Sequence, residues 1–128
     1  MIYHGIRADE GGRGTFKDLE DEVVAAVRQC EGKKFDVIAV QGVSGMSLGF
    51  PLALRLGKDI IVVRKRSDIS HSDPETITGV IVRGKRCLFV DDFVSCGNTR
   101  RRVREAIEKE GGKLVAEYTA REDAYAKI

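Results

Sequence analysis

One segment of this chain joins an apolar run to a helical pattern through two adjacent acids and a short polar loop. The run Arg86–Val90 has the length and composition of a buried strand, and Asp91 and Asp92 follow it directly. The small, polar segment Ser95–Thr99 then precedes a helical pattern at residues 100–107. A buried strand that leads through a short loop into a helix is the repeating unit of a parallel sheet, so this segment predicts an α/β fold.

The rest of the chain alternates between helical and strand patterns. Apolar residues recur at helical spacing from Phe16 to Cys30, behind Thr15, which is a favourable N-cap residue. A second helix is predicted at Met46–Leu56, and the tail Ala120–Ile128 has a weak helical pattern. Short apolar runs predict further strands, at 35–40, 59–64, 79–82 and 113–119. We therefore expect residues 1–128 to form a single Rossmann-like domain, with a mostly parallel sheet flanked by helices.

Composition narrows the function classes. The chain has 128 residues with 22 basic and 20 acidic side chains, and a net charge of +2 does not favour a nucleic-acid-binding protein. Cys30, Cys87 and Cys96 are odd in number and lack CxxC spacing, which argues against a disulfide framework or a zinc site and for a reducing cytoplasm. There is no signal-peptide pattern and no apolar run of about 20 residues, so we expect no membrane segment.

The acids and the polar loop after the third predicted strand suggest a ligand site. Ligands of α/β proteins bind beyond the carboxyl ends of strands, where Asp91 and Asp92 lie. Two adjacent carboxylates repel each other, and ribose hydroxyls or a hydrated Mg²⁺ would favour their ionised forms. Hydroxyls and amides of Ser95–Thr99 at a helix start can bind a phosphate, and Gly97 allows close backbone approach. The alternative is an ordinary capped turn beside a solvated acid.

Two other segments could supply a second anion site. Gln41–Gly45 follows a predicted strand and has two glycines around a serine, although glycine-rich turns between strands and helices are common. Arg64, Lys65 and Arg66 follow the next strand and could neutralise a pyrophosphate, or could form a solvated basic turn. The polar segment Lys65–Thr78 has no clear period, and its His71 could act as an acid or a hydrogen-bond donor.

Leu88–Thr99, with Cys87 before it, resembles the phosphoribosyl-pyrophosphate (PRPP) signature of type I phosphoribosyltransferases, which is four apolar residues, two acids, two apolar residues and a Ser/Thr/Gly-rich loop. The resemblance extends from about Phe35 to Thr119. It implies that Gln41, Gly42, Val43, Ser44 and Gly45 form the family's pyrophosphate loop. It also equates Arg64 and Lys65 with the family's Arg-Lys pair, and about residues 66–78 with its flexible catalytic loop.

The resemblance implies a role for each of these segments. Asp91 and Asp92 would hold the ribose hydroxyls directly or through Mg²⁺, and the pyrophosphate loop with Arg64 and Lys65 would hold the pyrophosphate. The 5-phosphate would bind to the segment formed by Phe93, Val94, Ser95, Cys96, Gly97, Asn98 and Thr99. The implied catalytic residues are Lys65, His71, Asp91 and Asp92. The reaction would displace pyrophosphate from PRPP by a ring nitrogen of a small heterocyclic base in a homodimeric enzyme of nucleotide metabolism.

Departures from the family pattern bear on the substrate. Ser95 stands where enzymes for 6-oxopurines usually carry Asp, which disfavours a hypoxanthine-guanine enzyme, and Cys96 replaces a hydroxyl donor to the phosphate. The base-binding hood would have to come from residues 1–14, from residues 120–128, or from both. A PRPP- or nucleotide-binding regulator with little turnover is the alternative, and a nucleic-acid-binding regulator that uses Arg100–Arg104 is a weaker one.

Overall fold

The computed structural model describes residues 16–64, 76–91 and 98–128, which form a six-stranded mixed sheet flanked by three helices. The elements follow in the order α1 (Phe16–Cys30), β1 (Val37–Val40), α2 (Gly42–Leu56), β2 (Asp59–Arg64), β3 (Thr76–Gly79), β4 (Arg86–Asp91), α3 (Asn98–Lys109), β5 (Lys113–Thr119) and β6 (Ala124–Lys127). This architecture confirms the α/β prediction. No helix in the described ranges combines the length and apolar character that crossing a membrane requires.

The sheet has the strand order β3-β2-β1-β4-β5-β6. Its four central strands are parallel, whereas β3 and β6 pair antiparallel at the two edges. The chain passes from β1 to β2 on one side and later returns to β4 on the other side of β1. The strand order therefore reverses between β1 and β4, and open α/β sheets bind ligands at the carboxyl ends of such a pair.

Two apolar layers cover the sheet. One face packs against α1 and α2 through residues such as Ala26, Leu52 and Val90, and the other packs against α3 through residues such as Ile107 and Phe89. All four residues of β1 are buried, as expected for a central parallel strand that is covered on both faces. These layers fix the starts of α2 and α3 relative to the carboxyl edge of the sheet.

The amino edge of the sheet is joined by Asp36 and Arg86, which lie at the starts of β1 and β4. The Arg86 guanidinium donates two hydrogen bonds of 3.1 Å to the Asp36 carboxylate, and the Arg86 backbone N–H donates another of 2.9 Å. These bonds lower the pKa of Asp36 to about 2. The pair thus fixes the two strands at the end of the sheet opposite the predicted ligand edge.

Two predicted boundaries are wrong. The second helix begins at Gly42, four residues before Met46, because Gln41 is extended and the backbone turns at Gly42 with φ +83°. Strand β3 ends at Gly79 instead of beginning there: this residue has φ +131°, and a Cβ on it would lie 2.6 Å from the Ile60 carbonyl oxygen. Residues 76–78, which were predicted to be part of the long loop, therefore belong to a strand.

The weak helical prediction for the tail is also wrong. Residues 124–127 form β6, which pairs antiparallel with β5, because pairing with a sheet edge outweighs a weak helix propensity. The Tyr118 hydroxyl donates a 2.6 Å hydrogen bond to the Asp123 carboxylate, which lies in the turn with φ +48°. Tyr125 of β6 packs on the core, and the Lys33 ammonium lies 5.2 Å from its ring centroid.

Candidate functional site

The carboxyl edge of the three strands β2, β1 and β4 brings together residues that the sequence predicted to share a site. In the parallel register, Val40 lies opposite Val62, and Ala39 lies opposite Phe89. Gln41 follows the end of β1, while Arg64 and Asp91 end the two neighbouring strands. The predicted pyrophosphate segment and the first predicted acid therefore lie at adjacent positions along one edge.

The start of α2 can bind an anion. The first N–H groups of a helix have no partner within the helix, and the helix dipole adds positive potential there. The first turn of α2 contains no acidic residue that would compete for these groups. The positive φ of Gly42 directs the chain from β1 straight into this turn, and a side chain there would strain the backbone. The predicted loop Gln41–Gly45 is thus a helix N-terminus, which suits anion binding at least as well.

Gln41 connects the ends of β1 and β2. The side chain is buried, and its Nε2 donates a 3.1 Å hydrogen bond to the Val63 carbonyl oxygen. This bond fixes the orientation of the amide, because a carbonyl oxygen requires the N–H₂ end. Among the described residues, the Gln41 Oε1 has no hydrogen-bond partner. A buried oxygen of this kind favours a donor from a ligand or a bound water.

An open cleft of about 600 Å³ lies between the start of α2 and the end of β2. Its walls include apolar residues from both elements, together with the cation Arg64 and the polar residue Thr78 on β3. The residues that line it are Gly42, Val43, Met46, Val62, Val63, Arg64 and Thr78. Helix amides, a guanidinium and a hydroxyl are donors that a pyrophosphate group requires.

Gly45 connects the cleft with the acidic strand end. A Cβ on Gly45 would lie 3.1 Å from the Val90 carbonyl oxygen and 3.6 Å from the Val40 Cβ. The start of α2 thus packs directly against the end of β4, next to Asp91. Only a residue without a side chain permits this approach without displacing one of the two elements.

The other half of the site lies between β4 and α3. Asp91 is partly exposed, and its carbonyl oxygen accepts a 3.0 Å hydrogen bond from the Ala120 N–H. Helix α3 begins at Asn98, so Thr99 lies within its first turn and the helix starts two residues before the predicted pattern at residues 100–107. Asn98 is exposed and Thr99 is partly exposed, which leaves the first turn accessible to a ligand.

Several predicted site residues lie outside the described residues. They are Lys65, His71, Asp92, Phe93, Val94, Ser95, Cys96 and Gly97, and the side chain of Ser44 also lies outside the description. The predicted N-cap Thr15 and the hood candidates at residues 1–14 lie outside it as well. Their roles remain predictions. Within the described ranges, no three His, Cys, Asp or Glu side chains are close enough to hold a metal ion by themselves.

The structure adds residues that the sequence prediction missed. Glu117 is buried on β5, and its Oε1 lies 3.5 Å from the Arg100 Nη1 on α3. Desolvation raises the pKa of Glu117, and the positive charge of Arg100 lowers it in part. The sequence did contain a sign of this pair. A carboxylate, Glu117, interrupts the apolar run Lys113–Thr119, and a cluster of arginines precedes that run. Met46 and Thr78, which line the cleft, gave no such signal.

The sequence of this chain is similar to those of known phosphoribosyltransferases. The chain is 33% identical over 112 residues to adenine phosphoribosyltransferase of Desulforamulus reducens, and the alignment covers 77% of this chain and 65% of that relative. It is 27% identical over 95 residues to orotate phosphoribosyltransferase of Thermococcus kodakarensis, and that alignment covers 74% of this chain and 51% of that relative. The chain spans about half to two thirds of the length of the curated relatives that it matches. No protein-family model matches the sequence.

The fold agrees as well. The crystal structure of adenine phosphoribosyltransferase from Thermoanaerobacter pseudethanolicus superimposes with a TM-score of 0.67 at 22% identity, over 92% of this chain and 84% of that chain. At 22% identity, this likeness concerns the fold alone. Taken together, the signature, the sheet order and the named relatives place this chain in the type I phosphoribosyltransferase family.

Proposed function

We propose that this protein transfers the ribose 5-phosphate group of PRPP to a nucleobase and releases pyrophosphate. The observation that carries the proposal is the convergence of three elements at the strand-order reversal. The start of α2, the tip of β2 at Arg64 and the tip of β4 at Asp91 lie along one edge of the sheet. PRPP carries two phosphate groups on either side of a ribose, and this edge offers donors on either side of a carboxylate.

The pyrophosphate group would occupy the cleft between α2 and β2. The amides at the start of α2 and the guanidinium of Arg64 supply donors and positive charge, and the resemblance adds Lys65. Charge neutralisation of the leaving group lowers the barrier for its departure, because the negative charge on the pyrophosphate increases in the transition state. The residues Gln41–Gly45 would therefore act mainly on the leaving group.

The ribose and its 5-phosphate would lie between β4 and α3. Asp91, together with Asp92, would accept hydrogen bonds from the ribose hydroxyls, which fixes the C1 atom relative to the cleft. The 5-phosphate would bind to the segment Ser95–Thr99, of which Asn98 and Thr99 are the first residues of α3. A carboxylate near the ribose also favours the positive charge that develops on the ring when pyrophosphate leaves.

A magnesium ion fits this arrangement. Mg²⁺ in phosphate-transfer sites usually keeps several waters and binds through one or two carboxylates plus substrate oxygens. Asp91 can supply such a carboxylate, and the Gln41 Oε1, unpartnered within the described ranges, can accept a hydrogen bond from a metal-bound water. The metal would supply charge for the pyrophosphate oxygens. The chain's own residues would orient PRPP and exclude water from C1.

The acceptor is proposed to be a small heterocyclic base, with adenine as the first candidate. The proteins named among the relatives are adenine and orotate phosphoribosyltransferases. Ser95 also stands where enzymes for 6-oxopurines usually carry Asp, which directs the choice away from hypoxanthine and guanine. A homodimer is part of the proposal, because neighbouring subunits in this family often lend loop residues to each other.

The proposal is tested by pyrophosphate release. Purified protein is incubated with PRPP, Mg²⁺ and each of adenine, orotate, hypoxanthine, guanine and uracil, and the nucleotide product is identified by mass spectrometry. We expect release with one base, and a large loss in the Asp91→Asn variant at unchanged thermal stability. PRPP binding without release for any base would favour a regulator, and absence of PRPP binding would contradict both functions.

A further inference from the structure

The charge pattern of α3 runs against its own helix dipole. Cations stabilise the end of a helix and destabilise its start, by about 0.3–1 kcal/mol each when exposed. Helix α1 follows this rule, with Asp18 in its first turn and Arg28 in its last. Helix α3 has no acid in its first turn and instead carries a cluster of arginines in its first two turns, at Arg100, Arg101, Arg102 and Arg104.

One of these arginines, Arg100, forms an ion pair with a buried carboxylate of the sheet. The Arg100 Nη1 lies 3.5 Å from the Glu117 Oε1, and Glu117 is only 7% exposed. Ala116 and Tyr118 face the layer of α1 and α2, so the alternation of β5 turns Glu117 toward α3. The first turn of α3 is thereby tied to β5, two residues before the carboxyl edge of that strand.

The pair leaves much of the guanidinium available. The Arg100 side chain remains 43% exposed, and it has five N–H donors of which one group faces Glu117. Arg101, by contrast, is exposed at the next position of the same helix. A buried carboxylate is costly without a cation, so the Arg100 guanidinium stays beside Glu117 although much of its side chain is exposed.

We propose that Arg100, positioned by Glu117, is a specificity-determining cation for the 5-phosphate end of the substrate. The inference rests on the proposed function, which puts that phosphate at the N-terminus of α3. A phosphate dianion there offsets the repulsion between the arginines and the helix dipole, and Arg100 adds positive charge at that end of the helix. Glu117 acts through Arg100 and is a positioning residue.

The test compares the two ends of PRPP separately. Calorimetry measures the affinity of the full chain for ribose 5-phosphate and for pyrophosphate, each with Mg²⁺, in the variants Arg100→Met, Glu117→Met and the double variant. Arg101→Met is the matched control, because it removes the same charge from the neighbouring position of the helix. Glu117→Gln keeps an acceptor oxygen for Arg100 and is expected to restore most of the affinity that Glu117→Met loses.

We expect Arg100→Met to weaken ribose 5-phosphate binding about tenfold, in line with the loss of one charge-assisted contact, and to leave pyrophosphate binding unchanged. The double variant should lose no more than Arg100→Met alone, since Glu117 acts through that side chain. If the ion pair were purely structural, its loss would lower the melting temperature and would weaken the binding of both ligands equally or of neither. That result would overturn the inference. If the unsubstituted protein bound PRPP but Arg100→Met matched Arg101→Met, only this inference would fail. If it bound no ribose 5-phosphate or PRPP, the proposed function would fail too.

Discussion

Substituting Gly49 by alanine should destabilise the protein by about 2 kcal/mol, although alanine is the better helix former. A Cβ at this position would lie 2.3 Å from the Val40 Cγ1, whereas carbon atoms pack at about 3.5–4.0 Å. Val40 is fully buried on the central strand β1, and its branched side chain has little rotamer freedom. Overpacking of this kind costs about 1–3 kcal/mol, and we expect the upper value here, from which about 1 kcal/mol of improved helix propensity is subtracted.

Urea unfolding of Gly49→Ala, Val40→Ala and the double variant measures this effect. The loss should appear as a lower midpoint at unchanged m value, since the surface exposed on unfolding hardly changes. In the Val40→Ala background the overlap is gone, so Gly49→Ala should be neutral or stabilising there. Because α2 would also move away from β1, pyrophosphate affinity should fall in the single variant. A Gly49→Ala protein as stable as its parent would refute the packing argument.

Three further predictions concern stability and thiol chemistry. Tyr118→Phe should lower the free energy of unfolding by about 1.5 kcal/mol in urea titrations, because its 2.6 Å hydrogen bond to a carboxylate is lost, and an unchanged midpoint would contradict this. Asp36 has a pKa lowered to about 2, so the stability that its ion pair contributes is present above about pH 4 and is lost as the pH falls through 2. Asp36→Asn should melt one to three degrees lower than its parent at pH 7, and the two proteins should converge as the pH falls below 2. Burial raises the pKa of Cys30 to about 12 and of Cys87 to about 11, so in a Cys96→Ser background a disulfide reagent should label neither thiol until denaturant is added.

The sequence predicted the strands well where apolar runs have clear ends. β2 at Asp59–Arg64 and β5 at Lys113–Thr119 match the predicted boundaries, because Gly57 and the pair Gly111–Gly112 end the helices before them. The helix at Phe16–Cys30 was equally clear from its apolar period and from Gly32 after it. These boundaries depend on local chemistry, which a single sequence contains in full.

The predictions failed where distant contacts decide the structure. The tail becomes β6 only because the edge of β5 is available to it, and Gly42–Gly45 is helical because the start of α2 packs against β4. For the site, the order of the segments predicted that Gln41, Arg64 and Asp91 would meet. The hydrogen bond from Gln41 to Val63 spans 22 residues, and no local pattern indicates it.

The central claim is that PRPP binds along the carboxyl edge of β2, β1 and β4, and amide chemical shifts test it most directly. A ¹⁵N-labelled sample is titrated with PRPP and Mg²⁺. We predict saturable shifts at Gln41–Gly45, Asp91 and Asn98–Thr99. The turns at the opposite edge, which contain Gly57, Gly84 and Gly111, should remain unchanged. Unchanged amides along the carboxyl edge at millimolar PRPP, or shifts confined to the opposite edge, would contradict the account.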